Sequence, residues 1–504
     1  MTWDDAQAYQ ALQARDPRFD GRLFVGVTST GIYCRPICRV RLPKACNCRF
    51  FSSAAQAEEA GFRPCLKCRP ELAPCAESPW SVMDASQTLA LQAARLLDES
   101  LAQDTLGEPA SPAIARCARR LGVSERHLRR IFARHHGVSP VQYLQTQRLL
   151  LAKRLLTDST LSMAQVARSS GFHSLRRFNA AFSRAYRLTP GTLRREGRSA
   201  AAGQPQPPPA EIVLRLAYRP PYAVEHLMSF LATRALTGVE QVDVGEARVR
   251  RSLRLPGERE PGWLEARFVP LKHQVILRFP LAWSGHCATV VQLARRWLDL
   301  DAQPQVIDEH LAALPGPPGL RLPGAADPFE TAVRALLGQR VTVAAARTLA
   351  ARLVQAYGDA VPTPWADIDR LFPDAQRLGR VRPQALAALG LHATQALAVQ
   401  SLARRWPSLC ALAQDVWTGT AHTEDLSAAL QDIHGVGPWS AQYILMRWLS
   451  WPDAHLPADV AVLKALGLPH TRQGHRHAQD ELNRYQPWRA YAVMRLWNAL
   501  ETRS

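Results

Sequence analysis

Seven of the ten cysteines in this 504-residue chain fall between residues 34 and 75. In that stretch "YCRPIC" supplies Cys34 and Cys38, and "RPCLKC" supplies Cys65 and Cys68, two close pairs with 26 residues between them. Two such pairs suit four thiolates set tetrahedrally around one Zn2+. Cys46, Cys48 and Cys75 could compete, the "CNC" segment most directly; the two close pairs are the preferred set. The bland alternatives are reduced core cysteines or a zinc that is only structural. Cys117, Cys287 and Cys410 stand alone and read as core thiols. A second stretch, "ALQDIHGVGPWSAQYILMRW", reads as two helices joined by a tight turn. Gly435 and Gly437 let a backbone come close to a phosphate, and the amides opening the next helix can donate to it. Asp459, in "LPADV", follows Gly437 by 22 residues, enough for one helix and a return loop. The commoner fate of an Asp at such a place is a helix N-cap.

These groups need scaffolds, and the chain is long enough for three or four domains. It is 47% hydrophobic and carries 62 Lys+Arg against 43 Asp+Glu, a net charge of +19. That balance points to a polyanion, nucleic acid first, although Arg-rich composition alone is about an even argument. No stretch is apolar enough to span a membrane and "MTWDDAQAYQ" does not read as a signal peptide, so a cytoplasmic, nucleoid-associated bacterial protein is expected. In that compartment clustered cysteines mean metal or redox chemistry.

Residues 1–80 form the Cys-rich unit and residues 85–195 a helical one with many exposed arginines. Residues 196–210, containing "GQPQPPPA", have linker composition. Residues 211–285 hold short β-type runs around one helical segment, and residues 286–504 are helical again. The expected class is multidomain: a small α+β four-cysteine domain, an all-α double helix-turn-helix domain, an α+β domain and an all-α helix-hairpin-helix domain. The two turn motifs have their glycines at Gly122 and Gly171. Ser124 caps the second helix of the first, and the corresponding helix of the second carries Leu175, Phe178 and Phe182 inward. Arg126, Arg129, Arg130, Ser174, Arg176 and Arg177 are the exposed candidates for DNA contact, most of them to phosphate.

Three resemblances sharpen this. "TSTGIYCRPIC" with "EEAGFRPCLKCRPE" closely resembles the N-terminal domain of the Ada adaptive-response family, which takes methyl groups from DNA methylphosphotriesters. The resemblance makes Cys34 both zinc ligand and methyl acceptor, with Arg35 and Arg39 holding the phosphate or simply neutralising charge. That family's Pro-Cys-His-Arg active site for guanine-O6 repair is absent. Residues 85–195 resemble the AraC-type activator domain, with the "GF" turn and closing "TP"; two such units can enter successive major-groove segments. Residues 211–500 resemble the AlkA-type 3-methyladenine DNA glycosylases through "ETAVRALLGQRVTVAAARTLAARLVQAYG", the hairpin, "LPADV" and "PWRAYAVMRLW".

The last resemblance implies a mechanism. A purine alkylated on a ring nitrogen is already a cationic leaving group, and the sugar turns oxocarbenium-like as the bond breaks. Asp459 would stabilise that charge and position water. Trp439, Tyr443 and Trp497 match the cleft that stacks on the flipped base, where the bland reading is core packing. A Trp at position 439 cannot form the Schiff base of bifunctional relatives, so a monofunctional enzyme is expected. Gln339 and Arg340 occupy the loop that wedges into the gap left by the base, with Arg340 longer and charged where an apolar wedge is usual. Carbonyls of Gln431, Ile433 and Val436 could hold a monovalent cation, Na+ or K+. The expected partners are double-stranded DNA, at lesions and promoters, and RNA polymerase; no membrane partner is expected, and the chain reads as a monomer. The rival reading is an activator whose C-terminal half binds DNA without catalysis.

Overall fold

The computed structural model describes residues 4–74, 85–103, 110–200, 210–256, 258, 260–339, 341–418, 421–456 and 458–501. Arg340, Cys75 and most of the expected linker lie outside the described residues. Two compact units are present: residues 1–220 with 271–292, and residues 221–270 with 293–504. No helix among the described residues is long and apolar enough to cross a membrane.

The first unit opens with a four-stranded sheet of β1 (Phe24–Val27), β2 (Ile32–Cys34), β3 (Cys48–Phe51) and β4 (Arg63–Pro64), in the order β3-β1-β2-β4. Gly31, at φ 64°, makes the turn between β1 and β2. The sheet has an apolar core on each side. Ala8, Ala11 and Leu12 of the helix Asp5–Gln13 cover Leu23 and Val25; Phe24, Tyr33, Phe51 and Phe62 pack with Ala57 of the helix Ala54–Glu59. β2 and β4 run parallel with Tyr33 opposite Pro64, which brings the residues that follow each of them, Cys34 and Cys65, to the same edge.

Seven helices follow among the described residues. In four of them the sequence sets the start through a serine whose Oγ accepts from the amide three residues on: Ser124, Ser139, Ser162 and Ser174. Gly122 (φ 66°) and Gly171 (φ 80°) make the two tight turns. In the helix Leu175–Tyr186, Phe178, Phe182 and Tyr186 recur every fourth residue and are fully enclosed. Leu175 departs from expectation: it is 42% exposed. It opens the helix, where the chain still turns away from the core, so the inward stripe starts at Phe178. The long helix Pro140–Asp158 joins the two turn motifs and buries Arg148, Lys153, Arg154 and Asp158 along with its leucines. A strand, Glu211–Ala217, pairs antiparallel with Gln274–Pro280 in this unit.

The second unit holds an antiparallel meander of Glu240–Asp243, Arg248–Leu253 and Gly262–Val269, beside the helix Val224–Arg234. Arg251 of the meander is buried between Glu240 (3.2 Å) and Glu330 (2.5 Å), and Glu330 also takes Arg334 (2.7 Å). These pairs tie the meander to the helix Pro328–Leu337. The remainder is helical, and the last helix, Arg489–Glu501, packs on Val460–Ala465. The chain is therefore multidomain: a small four-cysteine sheet domain, a helical double turn motif, and a helical C-terminal domain carrying a hairpin.

Candidate functional site

The metal centre comes first in the chain. Cys34 ends β2, Cys65 follows β4, and the sulfurs of Cys34, Cys38, Cys65 and Cys68 lie within 4.8 Å of one another. Tetrahedral thiolate coordination at about 2.3 Å per bond needs sulfurs about 3.8 Å apart, so the donor set fits Zn2+. Hydrogen bonding to Cys38 and then Cys65 pushes the Cys34 thiol up. Cys46 is exposed and Cys48 bonds the Lys44 carbonyl, so "CNC" does not join the cluster. Exposure does not single out Cys34: it and Cys38 and Cys65 are all buried.

Arg35 is buried rather than presented to solvent. Its guanidinium forms a two-pronged pair with Asp20, its Nη1 donates to the Cys68 carbonyl at 3.1 Å, and its amide donates to Cys68 Sγ at 3.3 Å. The distant partner Asp20 could not be read from the local motif. Its guanidinium is thus engaged with Asp20 and the Cys68 carbonyl in the interior. Arg39, Arg41 and Lys67 are the exposed cations flanking the cysteines.

The residues after Cys68 are locked to the helix Pro140–Asp158. Arg69 pairs with Asp158 at 2.6 Å and with Glu71 at 2.9 Å, Glu71 pairs with Lys153, and Lys153 Nζ also donates to the Cys65 carbonyl at 3.3 Å. Arg215, in the strand Glu211–Ala217, completes the group by pairing with Asp158 at 2.9 Å. Burial alone would raise the Glu71 carboxyl, but Lys153 and then Arg69 outweigh it and bring it to about 2. Nearby, Tyr33 Oη donates to Glu58 at 3.0 Å and Tyr186 Oη at 3.4 Å, so this carboxyl spans the sheet module and the helix Leu175–Tyr186. Burial pushes Glu58 up to about 7, against hydrogen bonds from Tyr33, Thr146 and Tyr186 and the charge of Lys153. No local motif announces this network, whose members include Lys153 and Glu71, 82 residues apart, and Tyr186 and Glu58, 128 apart.

On the turn motifs, Arg126, Arg129, Arg130, Arg176 and Arg177 are all exposed, as is Ser174. Arg129 pairs loosely with Glu125, and Arg130 contacts His127. The Ser174 Oγ accepts from the Arg177 amide as a cap.

In the second unit the hairpin joins the helices Thr423–Gln431 and Pro438–Trp448. Gly435 sits at φ 91°, and a Cβ there would lie 3.1 Å from Ala398 Cβ. Gly437 opens the second helix with an ordinary φ, and a Cβ there would meet nothing within 4 Å, so its outer side is clear. Gln339 has an internal use: its Nε2 donates to the Gly435 carbonyl and to Ser440 Oγ, each at 2.9 Å, bracing the turn. Of the expected cation-holding carbonyls, Ile433 already accepts from the Val436 amide.

Trp439 and Tyr443 lie one helical turn apart with parallel rings, 5.2 Å between centroids and 9° between planes. Trp497, from the last helix, closes a third side 6.4 Å from Tyr443. All three are half-buried. Asp459 caps the helix Val460–Ala465, with Oδ1 accepting from the Val462 amide at 2.9 Å. The same carboxylate is gripped by both indoles: Trp497 Nε1 donates to Oδ1 at 3.0 Å, and Trp439 Nε1 to Oδ2 at 2.9 Å. The structure thus brings together the carboxylate and the aromatic trio. Such a carboxylate is held in place beside the rings of Trp439 and Trp497. Three neighbours went unremarked in the sequence: Val460, 66% exposed beside Asp459; Arg447, which donates to Tyr443 Oη at 2.8 Å; and Phe230, whose ring lies 5.0 Å from the Arg447 guanidinium. Arg447 one turn beyond Tyr443 was the available signal.

Comparison with known proteins follows the same division. The metal binding domain of Ada matches residues 7–71, a helix-turn-helix domain matches residues 117–196, and the AlkA N-terminal domain matches residues 213–327. A Mycobacterium tuberculosis protein named probable bifunctional transcriptional activator/DNA repair enzyme AlkA is 36% identical over 510 residues, covering 99% of this chain and 97% of its own. DNA-3-methyladenine glycosylase 2 of Escherichia coli is 34% identical over 284 residues, covering 56% of this chain and 95% of its own. The bifunctional transcriptional activator/DNA repair enzyme Ada of Escherichia coli is 33% identical over 151 residues, covering 30% of this chain and 37% of its own. With metal centre, turn motifs and gripped carboxylate following one another along a single polypeptide that matches the first relative nearly end to end, the chain belongs to the family of bifunctional AlkA transcriptional activator/DNA repair enzymes.

Proposed function

We propose that this protein excises alkylated purines such as 3-methyladenine from DNA as a monofunctional glycosylase, and that its first half is a methylphosphotriester-accepting regulator of the same response. The carrying observation is Asp459, held by the indoles of Trp439 and Trp497 at the rim of the aromatic recess. An extruded cationic base stacks against the rings, whose electron-rich faces attract it. The bond from C1′ to the base nitrogen breaks with its electron pair going to the base. Asp459 stabilises the sugar cation left behind, and water then adds at C1′ and gives up a proton. The indole N–H groups keep the carboxylate aimed and unable to swing onto a neighbour. The hairpin amides after Gly437 take a DNA phosphate, Gln339 braces that turn, and Arg340 enters the gap in the duplex. The carbonyls of Gln431, Ile433 and Val436 are the proposed monovalent-cation ligands.

In the first half, Cys34 is the proposed acceptor. Zn2+, when bound, keeps the four sulfurs in the thiolate form at neutral pH. The Cys34 sulfur attacks the methyl carbon of the triester, an S–CH3 bond forms, the O–CH3 bond breaks, and a phosphodiester anion leaves. Arg39, Arg41 and Lys67 face the backbone, and loss of one thiolate charge weakens repulsion from it. The turn motifs then hold a promoter and present the protein, as a monomer, to RNA polymerase.

The deciding experiment is release of 3-methyladenine from methylated DNA by the purified full chain. Wild type should release base and Asp459→Asn should not. Equal, negligible release by both would leave the C-terminal half a DNA-binding module only.

A further inference from the structure

Arg447 is 7% exposed and has no carboxylate partner among the described residues. Its three nitrogens donate to neutral oxygens: Nε to the Pro323 carbonyl, Nη2 to the Gly324 carbonyl at 3.2 Å, and Nη1 to Tyr443 Oη at 2.8 Å. The guanidinium also lies 5.7 Å from the Tyr443 ring centroid and 5.0 Å from that of Phe230. Glu240, whose carboxyl feels the Arg447 charge, already pairs with Arg251. A buried guanidinium on neutral acceptors is held in place at a cost, and it keeps its full charge.

Its position is informative. Trp439, Tyr443 and Arg447 follow one another at one-turn intervals along the helix Pro438–Trp448. The first touches Asp459 and the second touches Arg447. Two turns separate Trp439 from Arg447, about 12 Å along the axis. The recess thus has a fixed negative group attached at one member of its ring stack and a fixed positive group attached at the other. The field is felt at Tyr443: burial would raise its phenol, yet Arg447, then Arg234 and Arg334, bring it below its ordinary value.

We propose that Arg447 is a positioning residue of the excision site that acts through Tyr443, holding the ring in the stack and placing positive charge at the base end of the recess. The inference rests on the glycosylase reading. During cleavage the base gains an electron pair while the sugar becomes cationic, so positive charge moves from the base toward Asp459. A fixed cation behind the base opposes the charge of the bound alkylated purine and is relieved as that charge departs. This is binding energy withheld from the ground state and recovered in the transition state.

The signature separates this role from packing. Arg447→Met removes the charge and keeps most of the volume. Its single-turnover rate on methylated DNA should fall about tenfold, with KM unchanged or lower. Arg447→Lys should recover most of the rate. A Met variant with wild-type rate, or with raised KM and unchanged rate, overturns the proposal, as does a Lys variant as slow as Met. Should Met fail to fold, Arg447→Gln takes its place: a Gln variant as fast as Lys overturns the proposal, and a Gln variant about tenfold slower than Lys supports it. If wild type itself releases no base, it is the glycosylase reading that has failed, and that outcome is read from the wild-type lane alone.

Discussion

Arg69, the residue after Cys68, is clamped to Asp158 by two hydrogen bonds of 2.6 and 2.9 Å, and Asp158 ends the helix that joins the two turn motifs. A carboxylate this enclosed is tolerated because Arg69 and Arg215 both serve it. Removing Asp158 takes a buried carboxylate from both Arg69 and Arg215. Asp158→Ala is expected to destabilise the first unit by about 3–5 kcal/mol, read from the denaturant midpoint of its transition. A midpoint shift near zero would mean the pairs are dispensable.

Trp497→Phe isolates one of the two indole grips on Asp459. The ring stays to stack, while the Nε1–H that donates to Oδ1 at 3.0 Å is lost. A hydrogen bond to a charged group contributes about 1.5–3 kcal/mol, so base release should slow by about ten- to a hundredfold. Stopped-time release of 3-methyladenine under single-turnover conditions measures it, with DNA affinity expected to hold.

The two hairpin glycines should behave differently. Gly435→Ala places a Cβ at φ 91° and 3.1 Å from Ala398, so a thermal melt should show a loss of about 1–2 kcal/mol. Gly437→Ala meets no protein atom and should melt as wild type. Its methyl would instead point where a phosphate is proposed to sit, so affinity for undamaged duplex should drop.

Glu58 predicts a pH dependence. Its folded carboxyl titrates at about 7, above the ordinary carboxylate value near 4.3. Between those two pH values the folded chain holds a proton that the unfolded chain has lost. The contribution is therefore fully present below about pH 4 and is lost as pH rises through 7. Glu58→Gln should flatten the slope of stability between pH 5 and 8. An unchanged slope would mean that another group sets it.

Metal content tests the cluster directly. The purified chain should carry about one zinc per molecule by atomic absorption, and Cys38→Ser should carry much less. Cys46→Ser, altering a cysteine outside the cluster, should keep the wild-type content.

Much of this was readable from local pattern. Cys34, Cys38, Cys65 and Cys68 come together because their two short segments end adjacent paired strands, and close sequence spacing survives folding. The serine caps and turn glycines of the helix-turn-helix units are equally local. What escaped depends on distant partners. Arg35 looked like a free cation until Asp20 arrived from another loop, and Lys153 and Glu71 meet across 82 residues. Leu175 fitted the apolar period but stands at the helix opening, where the period does not yet apply. For Asp459, the sequence admits both a cap and a catalyst. The cap uses Oδ1 and the Val462 amide, and leaves Oδ2 with the Trp439 indole alone.

The strand Glu211–Ala217 begins just after the proline tract, yet Arg215 within it serves Asp158 on the tract's other side. The proline tract is therefore a poor place to cut the gene in two. A fragment ending there would keep Asp158 but forfeit one of its two cations, and a fragment starting there would carry Arg215 without the Asp158 carboxylate. Co-expressed halves divided at that point would have to find each other again before either was whole, which gives a reason for the two activities to be inherited as a single reading frame.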